Sequence, residues 1–352
     1  MRILVAMSGG VDSSVAALVL RDQGHEVTGA TLRLWGGPSD SGCCSVADVD
    51  DARRVAHVLG IDHHVFNYAD EFAERVIEPY AAEHARGRTP NPCIECNRHV
   101  KFDLLTARAR RLGFDAVATG HHARVVERGG RRWLARGVDR AKDQSYVLGY
   151  LRAEQLDRLV LPIGEMTKDE VRDRAKVAGL RTWSKPDSQD VCFIRGDHGR
   201  AEFLRERIEL TPATVVDRET GEVVGDVPAA ELMTVGQRRG IAPDRDGARR
   251  YVAKVDLVAR RVEVDRLAGV VASAIAVHPS ERSAVHEWPA TGSAVRVQTS
   301  AHGPLARARV DHDEIGPVLR LDAAIRPVAA GQTIVLYDDE DPDLVLAAAV
   351  VR

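Results

Sequence analysis

The sequence predicts an α/β protein: an N-terminal parallel sheet covered by helices, then a small β-rich central module, then a C-terminal β-barrel. Three observations carry this. Over the first 120 residues, short apolar runs alternate with stretches of helical period, the pattern of βαβ units. The first apolar run stops at Ser8-Gly9-Gly10, which ends a strand at the door of a helix. From Thr211 onward the helical period gives way to short alternating strands with turn punctuation.

Taken in order, RILVAM (2–7) is the first strand, and Val11 to Gln23 is a helix stopped by Gly24. EVTGATLRLW (26–35) is the next strand. VADVDDARRVAHVLG (46–60) carries apolar residues at helical spacing and stops at Gly60. HHVFNY (63–68) is a third strand, and Glu71 to Arg86 a further helix. RTPNPCIECN (88–97) reads as a loop, because two prolines and an Asn-Pro oppose regular structure. A helix from about Asn97 to Leu112 follows. A fourth strand, DAVATG (115–120), then runs into His121-His122. RVVERGGRRWLARG (124–137) reads as a hairpin around Gly129-Gly130. Residues 143–208 read as short helices. The expected boundaries are 1–208, 209–277 and 278–352.

A chain of 352 residues is too long for one ordinary core, which agrees with several modules. A net charge of −3 argues neither for nor against a nucleic-acid partner. The run LAGVVASAIAV (267–277) is too short to span a bilayer. The chain enters a strand at once, with no basic segment or cleavage site ahead of it, so a cytoplasmic protein without a membrane partner is expected. Five cysteines, Cys43, Cys44, Cys93, Cys96 and Cys192, are too few and too unevenly spread for a disulfide framework. Thiol chemistry or metal binding is the expectation for any that matter.

A glycine-rich turn between strand and helix is a phosphate-binding device. The glycines let backbone approach the phosphate, and the helix N-terminus offers N–H groups and the positive dipole end. The stretch lacks the Lys of one common phosphate loop and the third Gly of another. Ser8-Gly9-Gly10-Val11-Asp12-Ser13 instead resembles the pyrophosphate loop of the ATP pyrophosphatases, whose domain is adenine nucleotide α-hydrolase-like. Those enzymes split ATP between the α- and β-phosphates and form an adenylated intermediate. The resemblance implies that Ala6, Met7, Ser8, Gly9, Gly10, Val11, Asp12 and Ser13 hold ATP, taken as its Mg²⁺ complex.

Six further motifs select within that superfamily. TPNPCIECNRHVKF (89–102), ATGHHA (118–123), KDQSYVL (142–148), LPIGEMTKDEVR (161–172), PDSQDVCFI (186–194) and TVGQRRGIA (234–242) occur in this order. Together they resemble the bacterial tRNA-specific 2-thiouridylase family, densely to residue 242 and thinly after it. The resemblance implies ATP-dependent replacement of the C2 oxygen of the wobble uridine, U34, by sulfur from a cysteine persulfide, giving 2-thiouridine, AMP and pyrophosphate. The chemistry suits the residue types: adenylation turns a poor leaving oxygen into a good one, and a persulfide is a strong nucleophile near neutral pH.

Carried over by motif, the nucleophile is Cys96, immediately before Asn97, and the persulfide carrier is Cys192. One carries the terminal sulfur and the other releases it by forming a disulfide with the carrier. Both stretches read as loops, so neither thiol is expected in a core. Leu32 stands where the family packs on adenine, and Gly120 where it approaches the nucleotide. His121 and His122 are candidate phosphate donors or loop caps. Asn91, Pro92 and Cys93 match the stretch that lines the target base, flipped out of its stack. Lys142, Asp143 and Gln144 match the tRNA-contacting stretch. Ser300 and Ala301 stand where the family shows an Arg-Tyr pair that touches tRNA.

Cys93 is a departure, since many members carry Asp there. It creates Cys93-Ile94-Glu95-Cys96, and with Cys192 it opens an alternative: a [4Fe–4S] cluster with one iron open for sulfide. Zinc would need a second pair of ligands, which the sequence lacks. The family's tRNAs read Lys, Glu and Gln codons, and its sulfur comes from a cysteine desulfurase or a sulfur-relay protein. Between Cys96 and Lys142 stand twelve Lys/Arg against four Asp/Glu, an excess that can track a phosphate backbone or simply be a solvated face. Two other classes compete. A small-molecule ATP pyrophosphatase would not need the paired cysteines, and a non-catalytic RNA-binding module would not need ATP.

Overall fold

The computed structural model describes residues 1–34, 45–187, 191–194 and 199–352. Cys43 and Cys44 lie outside the described residues, as do Ser188, Gln189 and Asp190 of the carrier motif.

The N-terminal sheet has five parallel strands: β1 (Arg2–Ala6), β2 (Glu26–Arg33), β3 (Asp62–Asn67), β4 (Ala116–Thr119) and, after the β5–β6 hairpin (Ala123–Arg128, Arg131–Arg136), a short β7 (Leu159–Val160). Their order is β3-β2-β1-β4-β7. The fifth strand is an addition to the four expected; two residues give no readable alternation. Period-two alternation explains how β1 serves both faces. Ile3 and Val5 enter a core with α1 (Val11–Asp22) and α2 (Val46–Leu59), while Leu4 enters a second core with Phe72, Tyr80 and Val100. Each of these fully buried aliphatic side chains contributes about 1.5–3 kcal/mol.

The strand order reverses beside β1: β2 and β3 lie to one side, β4 to the other. Open parallel sheets bind ligands in the crevice at such a switch point. Ala6 pairs with Thr119 in register, so Ser8-Gly9-Gly10 and Gly120 leave the sheet side by side.

The Asn-Pro segment is not a loop. Asn91 Oδ1 accepts hydrogen bonds from Cys93 N (3.1 Å) and Ile94 N (3.4 Å), and Pro92 takes the first helical position. A short helix, Pro92–Glu95, continues as a wider π-helical run, Cys96–Leu104, and then as Leu105–Arg111. Asn followed by Pro is as much a helix start as a turn signal.

The central module is a four-stranded sheet in the order β10-β11-β8-β9 (Arg250–Asp256, Arg261–Arg266, Ala213–Asp217, Val223–Val227). The last six strands, β12 (Ala272–Ala284) to β17 (Val345–Val351), close into a barrel. Its first strand runs across the expected boundary at 277/278.

The barrel docks through a buried polar chain. Asp143 accepts from Arg136 Nε (2.7 Å), Gly137 N, Ser145 N and Ser145 Oγ; Ser145 Oγ meets Tyr337 Oη at 3.0 Å, and Tyr337 donates to Gln298 Oε1 at 2.7 Å. Asp143, expected beside tRNA, is thus turned inward, and its carboxylate holds elements together.

Candidate active site

The crevice holds the first half of the site. Gly10 caps α1 without a side-chain hydrogen bond, so the first-turn N–H groups are not taken by a cap. Ser13 Oγ accepts from Ser8 N (3.2 Å) and donates to Gly10 O (3.1 Å); Ser14 Oγ also donates to Gly10 O (2.8 Å). These bonds shape the loop. Gly9 has φ +72°, and a Cβ there would lie 2.3 Å from Asp48 O. A Cβ on Gly120 would lie 2.5 Å from Asp12 C and Ser13 N, so the end of β4 sits directly on the start of α1. Both glycines are required by close approach.

Charge surrounds this loop. Lys168 Nζ lies 2.8 and 2.7 Å from the two Asp12 carboxylate oxygens and 2.8 Å from Asp187 Oδ1. His122 Nε2 donates to Asp12 Oδ1 at 3.1 Å. Asp187 also receives Lys142 (2.8 Å) and Arg172 (2.8 Å). Lys185 reaches Asp48 and Asp51 at 2.7 Å and the Gly9 carbonyl at 3.0 Å. Burial works to raise the Asp12 carboxyl, but hydrogen bonds from His122 and Lys168 outweigh it and hold it below the usual range. The same contest at Asp187 is won by Lys142 and Lys168, which bring it down to about 2. The crevice is therefore a set of cations already paired with carboxylates, and a polyphosphate can compete for them.

Lys168, Asp187, Lys185 and Arg172 are site residues that the sequence alone does not mark. Three of them stand inside the motifs quoted above: Lys168 follows Thr167, which caps its helix (Lys168–Val177) through a capping box with Glu170, Arg172 ends that same motif, and Asp187 precedes the carrier Cys192 by five positions. Nothing in one-dimensional spacing shows that the two meet over Asp12. His121 is buried beside Thr119 (2.8 Å), and burial pushes its pKa well below the ordinary histidine value, so it is neutral. Leu32 is buried in the second apolar core, with Ala6 packed against that core.

The second half of the site is built on the Pro-rich segment. Cys93 is exposed and Cys96 buried. Contrary to expectation, Cys96 belongs to the second apolar core, because the helix that begins at Pro92 turns it inward. Cys192, half-buried, packs against that same core. Its neighbour Phe193 is held by Phe72, Tyr80 and Phe203 at ring distances of 5.7, 5.6 and 4.9 Å. The structure therefore gathers Cys96 and Cys192 into one apolar cluster.

Beside them is a cavity of about 510 Å³. Thr89–Pro92 line it from the Pro-rich segment, Val191 and Ile194 from either side of Cys192, and Thr299–Ala301 from the barrel. Asn91, Pro92, Ser300 and Ala301 thus share one cavity. Lys142 points to Asp187, while Gln144 Oε1 accepts from His122 N (2.8 Å). Lys142 and Gln144 thus brace the crevice, while Asp143 faces the barrel. No group of three or more His, Cys, Asp and Glu among the described residues, Cys93, Cys96 and Cys192 included, is arranged to hold a metal ion.

Residues 1–196 match the family described as tRNA methyl transferase HUP domain, and residues 201–266 its PRC-barrel domain. The chain is 43% identical to the tRNA-specific 2-thiouridylase MnmA of Saccharopolyspora erythraea, over 100% of this chain and 99% of the relative. It is 45% identical to that of Salinispora tropica, over 99% and 98%, and 44% identical to that of Mycolicibacterium smegmatis, over 100% and 99%.

Proposed function

The chain belongs to the tRNA-specific 2-thiouridylase family, and from that premise we propose how its own residues thiolate U34 of tRNA. ATP, as its Mg²⁺ complex, sits with its pyrophosphate end on residues Ala6 to Ser13 at the start of α1, close to Gly120. The uridine enters the cavity lined by Asn91, Pro92, Ser300 and Ala301. The uridine O2 attacks the α-phosphorus, the bond to the β-phosphate oxygen breaks, and pyrophosphate leaves. Lys168, between Asp12 and Asp187, is placed to take up the developing negative charge. The terminal sulfur of a Cys192 persulfide then attacks C2, and AMP leaves with the former O2. The Cys96 thiolate attacks the Cys192 sulfur, giving 2-thiouridine and a Cys96–Cys192 disulfide. An external thiol reductant supplies two electrons to reset the pair.

One observation carries this reading: Cys96 and Cys192 belong to one apolar cluster, and the segments that carry them, through Asn91, Pro92, Val191 and Ile194, line one cavity of about 510 Å³. The family description speaks of methyl transfer, but a sulfur relay needs the two thiols found here and methyl transfer from a bound donor does not. tRNAs reading Lys, Glu and Gln codons are the substrates, and a desulfurase or relay protein charges Cys192. No helix among the described residues is long and apolar enough to cross a membrane.

The test is a mass balance. A U34 tRNA transcript with a Lys anticodon, and a matched transcript with C34, are incubated with α-labelled ATP and a persulfide donor. One AMP per 2-thiouridine is expected on the first, and neither product on the second. AMP release unrelated to thiolated nucleoside, or a methylated product, overturns the reading.

A further inference from the structure

The chain's cations divide into two kinds. Of the twelve between Cys96 and Lys142, Arg98, Arg124, Arg128, Arg136, Arg140 and Lys142 are in ion pairs. Asp341 and Asp343, on the turn between the last two barrel strands, take three of them. Half of the basic stretch that stands out in the sequence is thus paired with carboxylates by the fold. A second set is not. Arg200, Arg238, Arg239 and Arg326, with Gly236 and Gln237, line a groove of about 560 Å³. Among the described residues none of the four arginines has a carboxylate partner. Arg200 donates to the Leu232 carbonyl (2.8 Å), and Arg326 lies over the Tyr251 ring (5.7 Å to its centroid).

The four come from all three modules: Arg200 from the first, Arg238 and Arg239 from the second, Arg326 from the barrel. Their convergence is fixed by the docking itself. Gly236, at φ +82°, lies against Pro327, its Cβ position 3.2 Å from the Pro327 carbonyl, and Thr89 N donates to Ala330 O (2.8 Å). Four guanidiniums lining one groove without carboxylates make it positive and favour an anion there. Arg200 also lines the 510 Å³ cavity, so groove and cavity adjoin at this residue.

We propose that the Arg200–Arg238–Arg239–Arg326 groove binds the RNA sugar-phosphate backbone flanking the flipped uridine, with Arg200 at the phosphate nearest the base. This rests on the reading of the cavity as the uridine site. The central module thereby completes the grip on the strand. A guanidinium pairs with phosphate oxygens through two N–H groups, which suits a repeated anion better than a base edge.

The test is binding of labelled tRNA across a potassium chloride series, without ATP. Each removed phosphate contact should lower the slope of log affinity against log salt by about 0.7–0.9. At about 0.1 M salt the same relation gives roughly a five- to eightfold weaker affinity per contact. Arg239→Ala and Arg326→Ala should each show this, with the tRNA KM of thiolation raised and kcat kept. Arg245→Ala, an exposed arginine of the same module paired with Glu222 at 3.0 Å, should change neither. An unchanged slope in both variants overturns the proposal, whether affinity holds or falls. So does an unchanged slope with loss of sulfur delivery from a carrier protein, which assigns the groove to that protein. Absence of any thiolation by the wild-type chain fails the reading of the reaction, while the salt slope still judges the groove.

Discussion

Lys168 is buried, and its ammonium stands between two carboxylates contributed by segments far apart in the chain. Lys168→Met leaves Asp12 and Asp187 facing each other without that cation. Unfolding free energy should fall by roughly 1–3 kcal/mol, the usual cost of stranding part-buried polar groups. The ATP dissociation constant should rise about tenfold or more, while tRNA affinity stays. Urea denaturation and equilibrium nucleotide binding check the two halves. Position by position, the glycine-rich loop before α1 is legible because glycine at a strand–helix junction has a specific backbone use. Lys168 and Asp187 are not, since a charge pair made by tertiary contact leaves no periodicity. Asp143 shows the converse. It lies in a motif associated with tRNA, yet four hydrogen bonds consume its carboxylate inside the protein.

At the scale of elements, the helix Glu78–Ala85 links the catalytic and central modules through His84. Its Nδ1 donates to the Glu231 carbonyl at 3.2 Å, and burial, against the pull of that carbonyl, lowers its pKa to about 4. The unfolded chain binds a proton on this histidine below about pH 6.5, and the folded one only near 4. Stability should therefore fall as pH drops from about 6.5 to 4, by on the order of 3 kcal/mol from this group. Chemical denaturation at pH 7.5 and 4.5 measures it, and His84→Gln should remove this share of the dependence, leaving that of His63 and His121. The parallel sheet and the hairpin are readable from alternation and from Gly129-Gly130. The Pro-rich segment misleads because proline forbids a helix interior but favours a helix start; the Asn91 cap decides between the two. That difference places Cys96 in the core rather than on a loop.

Over the whole molecule, three modules meet at Thr89, beside the cavity proposed for the uridine. Thr89 bonds the barrel at Ala330 and meets Thr234 of the central module at 3.2 Å, directly before the segment that carries Asn91, Cys93 and Cys96. The order of motifs points to this family, but the sequence does not show which cations the fold neutralises. The acidic turn at Asp341 and Asp343 lies some two hundred residues from the arginines it pairs with. The central claim is that ATP bound at the start of α1 and sulfur carried on Cys192 converge on one uridine. Nucleoside mass spectrometry of U34 tRNA tests it most directly, with a desulfurase-charged persulfide, with and without ATP, in the wild type, Cys96→Ser and Cys192→Ser. The account predicts 2-thiouridine only with ATP and only in the wild type, with ATP binding retained in both variants. Wild-type levels of 2-thiouridine from Cys192→Ser, or from any reaction lacking ATP, would contradict it.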